Sequence, residues 1–348
     1  MKSTSLNKLL EEGIHGVTPG VCVRAYIQGH KKIDELAGKT YEFYDLASLT
    51  KIIFATAKIM ELYEERKIDI DQTVKQYLPW YPHDKVFIKE LLNHSSGQKA
   101  WNPYYSSIIK DPSNQDKSYS EILRPLLQGE PLGDNSKSLY SDINFMILGC
   151  LLEKVCEKNL VEIWHELNLQ YGLRDMNFHW RNRSINSSEA YAPSENCKWR
   201  KKKIQGEVFD DNAWALGGVS SNAGLFSNMN DLCEWGLKIR ETLFDGIGFC
   251  DIFRQSTLRL FTSKSTHKGD WGLGFMKPSR PKSSCGHFFS DEAFGHTGFT
   301  GTSIWFDPKV DLLIVILSNR TYPDRDNFRF RDDLRPQIHD WVFRTLVR

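Results

Sequence analysis

What this chain lacks narrows its class before any motif is considered. No stretch approaches the roughly 18 consecutive apolar residues that a bilayer-spanning helix needs, and the longest candidates, Phe145 to Leu152 and Leu312 to Leu317, read as core elements. An apolar secretory run is missing at the amino terminus, so no membrane span and a cytoplasmic location are expected. Charge of one sign is equally scarce: the formal net charge is +1. A nucleic-acid partner would normally require a basic excess or a basic face. The one basic cluster, Lys198, Arg200, Lys201, Lys202 and Lys203, reads as a solvated loop. The 7 cysteines form no Cys-x-x-Cys pair and the 10 histidines no His-Glu-x-x-His pattern. Neither a metal nor any other cofactor is therefore expected, and the odd cysteine count fits a reducing compartment. Internal repeats and low-complexity tracts are absent.

What remains is an ordinary globular composition, 40% hydrophobic and 26% charged over 348 residues, long enough for a substantial core and about two domains. Gly20 to Gln28 reads as a strand, and Lys31 to Ala37 as its hairpin partner. Gly298 to Phe306 and Asp311 to Asn319 read as two more strands turning at Asp307-Pro308, with the amino-terminal hairpin as their neighbour. The closing segment, Asp324 to Arg348, has helical spacing and should cover one face of that sheet. Between these parts lie helical segments at Ile88 to Leu92, Tyr119 to Leu127, Ile143 to Glu157 and Leu160 to Leu167. A polar stretch from Arg181 to Asp211 is placed over a cleft. The expected division is an α/β sheet domain from 1–75 and 236–348, and an inserted, mostly helical domain from 76–235.

Chemistry enters at Ser48-Leu49-Thr50-Lys51. Residues three apart on a helix share a face, so a Lys51 amine that burial had stripped of its proton could activate the Ser48 hydroxyl. The unpaired N–H groups of the helix start could stabilise an oxyanion. Ser-x-x-Lys also occurs at Ser5, Ser96, Ser107, Ser265 and Ser279, but proline, glycine or a turn follows most of these closely, and Ser5 opens only a short helix. Ser48 alone heads a long run, with Ile52, Ala55, Ile59 and Tyr63 on one stripe of an amphipathic helix.

A third proton carrier and a strand to bind the reacting carbonyl should lie elsewhere. Tyr140-Ser141-Asp142 precedes the apolar helix that begins at Ile143. Tyr140 could relay a proton if Lys51 lowers its pKa, although a packed tyrosine with Asp142 as helix cap is the structural alternative. His296-Thr297-Gly298-Phe299 opens the second candidate strand. Gly298 would admit a substrate close to the backbone, and the Phe299 N–H could donate to an oxyanion beside the Ser48 N–H. Trp101, Tyr104, Tyr105, Trp214 and Trp271 could line a cleft or simply pack in the core.

Taken together, Ser48-x-x-Lys51, Tyr140-x-Asp142 and His296-Thr297-Gly298 resemble the motifs of the serine β-lactamase and penicillin-binding protein superfamily, closest to its class C and esterase-like branch. The resemblance spans nearly the whole chain. Leu91-Leu92-Asn93-His94-Ser95-Ser96-Gly97, the Gly217 to Ser227 loop and Phe306-Asp307-Pro308 are similar to its secondary motifs. It implies an α/β (α+β) fold, an antiparallel sheet flanked by helices with a helical domain beside it. It also implies acylation of Ser48 with Lys51 and Tyr140 as the relay, and substrate contacts from Asp142, His296, Thr297, Gly298 and Phe299.

Two positions depart from that pattern: Asp142 replaces its Asn and His296 its Lys. An ionised Asp142 cannot donate to a substrate amide, and His296 is mostly neutral near pH 7. Both changes weaken the case for substrates with a free carboxylate and favour a neutral ester, or a substrate amine that Asp142 could pair with. The expectation is a carboxylic ester hydrolase acting on a small-molecule ester or amide. Amidase, peptidase or β-lactamase activity, or a non-hydrolytic binding protein on the same fold, are the alternatives.

Overall fold

The computed structural model describes residues 5–179 and 187–347, so part of the Arg181 to Asp211 segment lies outside the described residues. Five strands form one antiparallel sheet: β1 (Gly20–Ile27), β2 (His30–Gly38), β3 (Phe294–Thr297), β4 (Ser303–Asp307) and β5 (Leu312–Ser318), in the order β2-β1-β5-β4-β3. The two ends of the chain therefore meet at the sheet centre, where β1 pairs with β5 from Val21↔Ser318 to Ile27↔Leu312.

The central place of β5 follows from its composition. Leu312 to Ser318 is buried throughout, as expected of a strand covered on both faces. Its side chains alternate between two cores. Leu312, Ile314 and Ile316 pack with Val21, Val23 and Ala25 of β1 and with the terminal helices, Leu6 and Leu10 of α1 (Leu6–Gly13) and Ile338 and Val342 of a carboxy-terminal helix (Arg335–Leu346). Leu313, Val315 and Leu317 face the larger core, which contains Ile52, Ile59, Trp235 and Ile239. Helices on both sides of an antiparallel sheet are thus produced by one strand whose two faces are equally apolar.

The larger core is built by α2 (Ala57–Glu64), α3 (Asp142–Cys156) and α4 (Met229–Phe244); the carboxy-terminal helix is α5. The segment after Ser48 differs from the amphipathic α-helix expected of it. It begins as a single 3-10 turn at Ala47–Leu49, continues as a π-helical stretch at Lys51–Thr56 and only then becomes α2. Every residue from Leu49 to Leu62 is buried. Its charged members are paired instead of solvated: Lys51 meets Asp142 and Lys58 meets Glu61, each at 2.6 Å.

The strand expected from Gly298 to Phe306 is also different, because it is a hairpin. His296 and Thr297 end the edge strand β3. The Gly298 N–H then donates to the Thr302 carbonyl at 2.7 Å and the Gly301 N–H to Gly298, closing a tight turn in which Gly301 has φ +117°. Two glycines three residues apart allow that reversal. The carboxy-terminal helix starts later than its spacing suggests, after a π-turn at Phe330–Leu334, with Pro336 in its first turn.

Because β5 belongs to both cores, Ile314→Ala should lower the unfolding free energy by about 3 kcal/mol. Leu36→Ala on the edge strand, where that side chain is 62% exposed, should change it by less than about 0.5 kcal/mol. Urea unfolding of the two variants checks the difference.

Candidate active site

Ser48 is presented by a strained residue. Ala47 has φ +47°, a left-handed conformation that typically costs about 1–2 kcal/mol outside glycine. Its neighbours hold it there. Asp45, buried, accepts the Ala47 N–H through Oδ1 at 2.7 Å and the Phe209 N–H through Oδ2 at 2.7 Å. Burial pushes the Asp45 carboxyl up to about 6, against those two hydrogen bonds. The hairpin turn after β3 is tied to the same segment, since Thr300 donates to the Asp45 carbonyl at 2.7 Å and Thr302 to the Leu46 carbonyl at 3.1 Å. A Cβ on Gly298 would stand 2.5 Å from the Leu46 carbonyl oxygen, so glycine is what lets this turn approach the serine.

Lys51 lies beneath Ser48, with a side chain 0% exposed. Its Nζ donates to Ser48 Oγ at 3.0 Å, to Asp142 Oδ1 at 2.6 Å and to the Asn222 carbonyl at 2.9 Å. Burial opposes the charge, but Asp142 and Tyr140 outweigh it, and the ammonium is held above its ordinary pKa. The surroundings of Lys51 therefore favour its charged form over the amine that burial alone would favour. Asp142 is free to pair because Ser141 caps α3, accepting the Asn144 N–H at 3.2 Å. Its Oδ1 is engaged by Lys51, and the partly exposed side chain also lines the larger cavity at Ser48.

Tyr140 sits 5.1 Å from Lys51 Nζ, measured to the ring centroid. Burial raises its phenol, while Lys51 and Ser48 pull the other way, and the net direction is upward. The resting site is a neutral tyrosine beside a charged lysine. The loop carrying Tyr140 is fixed by His94, itself at φ +59°. The His94 ring packs 4.7 Å from Tyr140, 4.4 Å from Trp271 and 5.5 Å from Phe145, and its Nδ1 accepts the Ser141 N–H at 3.1 Å. Burial, Lys51 and His296 keep this imidazole well below its usual pKa. His94 is a positioning residue that only the Leu-Leu-x-His-x-Ser-Gly turn signals in sequence.

His296 is buried and its pKa is pushed down to about 3, first by burial and then by the Lys51 cation. It is neutral throughout the physiological range. Its Nδ1 lies 2.9 Å from the Thr297 carbonyl, so Nδ1 carries the proton, and Nε2 is left as an acceptor without a protein partner.

Two cavities meet at Ser48. The larger, about 440 Å³, is lined by Ser48, Tyr140, Asp142, Phe299, Trp101 and Asp210 among others. Asp210 is pushed up to about 6, by burial first and then by Asp142. The smaller, about 250 Å³, is lined by Ser48, Tyr140, His296, Thr297, Gly298 and Phe299 together with Trp271 and three arginines. All eight residues singled out in the sequence therefore converge, seven on cavity walls and Lys51 directly below. The Phe299 N–H donates to no backbone group among the described residues, and Phe299 lines the same cavities as Ser48. Of the candidate aromatics, Trp101 and Trp271 reach the cavities. Tyr104 instead bonds Glu130 at 2.8 Å, while Tyr105 and Trp214 pack around Trp199. Asn222 lies in the Gly217 to Ser227 loop already singled out, though its carbonyl contact to Lys51 has no sequence signal, while Asp210 and the arginines lie in no motif that sequence reasoning singled out. No group of three or more metal-ligating side chains occurs among the described residues, and no helix among them is long and apolar enough to cross a membrane.

Comparison with known proteins agrees with this architecture. The chain is 30% identical over 315 residues to an N-acetylmuramyl-L-alanine amidase of Bacillus subtilis strain 168, covering 82% of this chain and 69% of that one. Among solved structures it is similar in fold to EstCE1, a hydrolase with promiscuous acyltransferase activity, with TM-score 0.71 and 18% identity over 96% of this chain and 97% of that one. It is likewise similar to a D-stereospecific amidohydrolase from Streptomyces sp., with TM-score 0.66 and 17% identity over 90% and 93% of the two chains. The sequence profile of the Beta-lactamase family matches residues 6–335, and the chain belongs to that family, within the β-lactamase and penicillin-binding protein superfamily.

Proposed function

We propose that the protein is a serine hydrolase that forms an acyl-enzyme on Ser48, with carboxylic esters as its foremost substrates. The observation that carries this reading is the buried array in which Asp142 holds Lys51 and Lys51 donates to Ser48 Oγ at the floor of an open cleft. In the proposed reaction Lys51 stays an ammonium. Tyr140, once ionised beside that cation, takes the Ser48 proton as Oγ attacks the carbonyl carbon and returns it to the leaving oxygen as the ester bond breaks. Water then attacks the acyl carbon, Tyr140 again taking its proton, and the Ser48 oxygen leaves with that proton. The Ser48 and Phe299 N–H groups face the developing oxyanion, and each such donor is typically worth about 10² to 10³ in turnover.

Esters are favoured over amides because the donor that would orient a substrate amide is missing. Asp142 stands at that place, accepts hydrogen bonds only, and is already engaged by Lys51. Amide hydrolysis is the second reading, supported by the Bacillus relative named as an amidase. Turnover of a short p-nitrophenyl ester, nitrocefin and a D-amino acid anilide separates the readings. The ester is expected to be the fastest, and activity on nitrocefin alone would exclude the esterase.

Three further outcomes are expected. Ser48→Ala should lose covalent labelling by a fluorophosphonate probe and at least about 10³-fold of ester turnover. Because the base is a tyrosine whose pKa lies above its ordinary value, activity should be low while Tyr140 is protonated and should climb from about pH 7 to beyond about pH 9. A plateau reached by neutral pH would point to a histidine base instead. Asp142→Asn leaves the Lys51 charge uncompensated, so it should cost about 3 kcal/mol of stability in urea unfolding at neutral pH and slow the ester reaction.

A further inference from the structure

The larger cavity beside Ser48 combines exposed aromatic rings with one carboxylate that its protein surroundings do not balance. Trp101 and Phe299, which line it together with Ser48, keep 43% and 41% of their surface exposed. Large apolar side chains left in water around a concave surface mark a place that a ligand covers. The same lining holds three carboxylates, Asp142, Asp210 and Asp211, and one cation, Arg325.

The charges on this wall are matched everywhere except at Asp210. Asp142 gives Oδ1 to Lys51 at 2.6 Å. Asp211 meets Arg200 at 2.7 Å and Arg325 at 3.4 Å, and Arg325 also meets Glu195 at 2.5 Å, so two guanidinium groups face two carboxylates. Asp210 has no ion-pair partner among the described residues. Its Oδ1 accepts the Ala213 N–H at 2.7 Å and so caps the short helix Asp211–Ala215, while no described residue donates to its Oδ2. Charges withdrawn from water are normally paired because desolvating an isolated ion is so unfavourable. The cost is visible at Asp210: burial first, and then Asp142, push its carboxyl up to about 6, against the Ala213 hydrogen bond and the Lys51 cation. At neutral pH it is still mostly ionised.

We infer that the larger cavity is a subsite for a substrate carrying a protonated primary amine, with the ammonium on Asp210 Oδ2, its carbon stem against Trp101 and Phe299, and the scissile carbonyl at Ser48. The two ends of such a group are complementary to the wall. A carboxylate oxygen that lacks a donor takes an ammonium N–H as a charge-assisted hydrogen bond. Asp142, close enough to disfavour the Asp210 charge, has an Oδ2 that no described residue engages, and an ammonium has three donors to share between them. The rings remove the methylene stem from water and attract the cation at its end. A volume of about 440 Å³ holds a chain of amino-acid size. The inference rests on the acyl-Ser48 reading and refines it, selecting among esters those with an amine on the acyl or the alcohol part.

Two measurements test this. Saturation-transfer NMR reads binding without turnover, using n-pentylammonium and n-pentanol as probes. The cation should bind about tenfold or more tightly than the alcohol. Asp210→Asn keeps a helix cap and removes the charge, so it should erase that difference. Ester kinetics then locate the amine: p-nitrophenyl ε-aminohexanoate against p-nitrophenyl heptanoate for the acyl part, and δ-aminobutyl butyrate against pentyl butyrate for the alcohol part, a methyl replacing the ammonium in each pair. In one pair the charged-to-neutral ratio of kcat/KM should be about tenfold or more higher in the wild type than in Asp210→Asn. Comparing the two proteins cancels the intrinsic reactivity of the esters, and a loss of folded protein lowers both members equally and leaves the ratio intact. Equal binding of n-pentylammonium and n-pentanol to the wild type, an ammonium preference that survives Asp210→Asn, or unchanged ratios in both ester pairs overturns the subsite. Failure of fluorophosphonate labelling at Ser48 would instead overturn the acyl-enzyme reading, and the NMR comparison would still decide the subsite.

Discussion

The buried ammonium of Lys51 is the group around which the rest of the structure is arranged. Removing a cation from water costs several kcal/mol even after relaxation, and here the side chain is 0% exposed. Three acceptors offset that cost: the Asp142 carboxylate, the Asn222 carbonyl and Ser48 Oγ. Each comes from a different part of the chain, so the cation stitches together the Ser48 turn, the start of α3 and the Gly217 to Ser227 loop. This requirement explains secondary features. Ser141, not Asp142, caps α3, which leaves the carboxylate for Lys51. His94 adopts a left-handed backbone to place its ring under Tyr140 and its Nδ1 on the Ser141 N–H.

The two cavities at Ser48 differ in electrostatic character. One has Asp142, Asp210 and Asp211 with Arg325 on its wall; the other has Arg320, Arg331 and Arg335 and no carboxylate in its lining. Between them Tyr140 and Phe299 are common to both linings. The tightly packed two-sided sheet holds these walls in place: Thr300 and Thr302 fasten the β3–β4 turn to the nucleophile segment, and β5 carries both cores.

The parts of this arrangement that were legible in sequence are those with local signatures. The hairpin of β1 and β2, the apolar β5 and the helices of the middle region announce themselves by periodicity or turn residues, whereas the cap of α3 is Ser141 and not the Asp142 expected from sequence. Ser48, Lys51, Tyr140 and His296 stood out because chemistry needs those side chains at helix and strand starts, and the structure brings them together. Other features depend on tertiary context. The hairpin at Gly298 to Gly301 was read as continuous strand because its flanks are both apolar. Full burial turned an apparently amphipathic run into a π-helical and α-helical core element. The protonation states of Lys51 and Tyr140 depend on Asp142 and on desolvation, neither of which spacing reveals. Arg335 looks like an ordinary residue beside a helix-starting proline, and only its burial on the wall of the smaller cavity marks it.

The account stands or falls on a covalent intermediate at Ser48. Its most direct test is intact-protein mass spectrometry on samples acid-quenched during turnover of a slowly hydrolysed p-nitrophenyl ester, followed by peptide mapping. A mass increase equal to the acyl group, located on the peptide containing Ser48, present during turnover and gone after substrate is exhausted, is the predicted result. Turnover with no acylated protein, or an acyl group that maps to another residue, would contradict it.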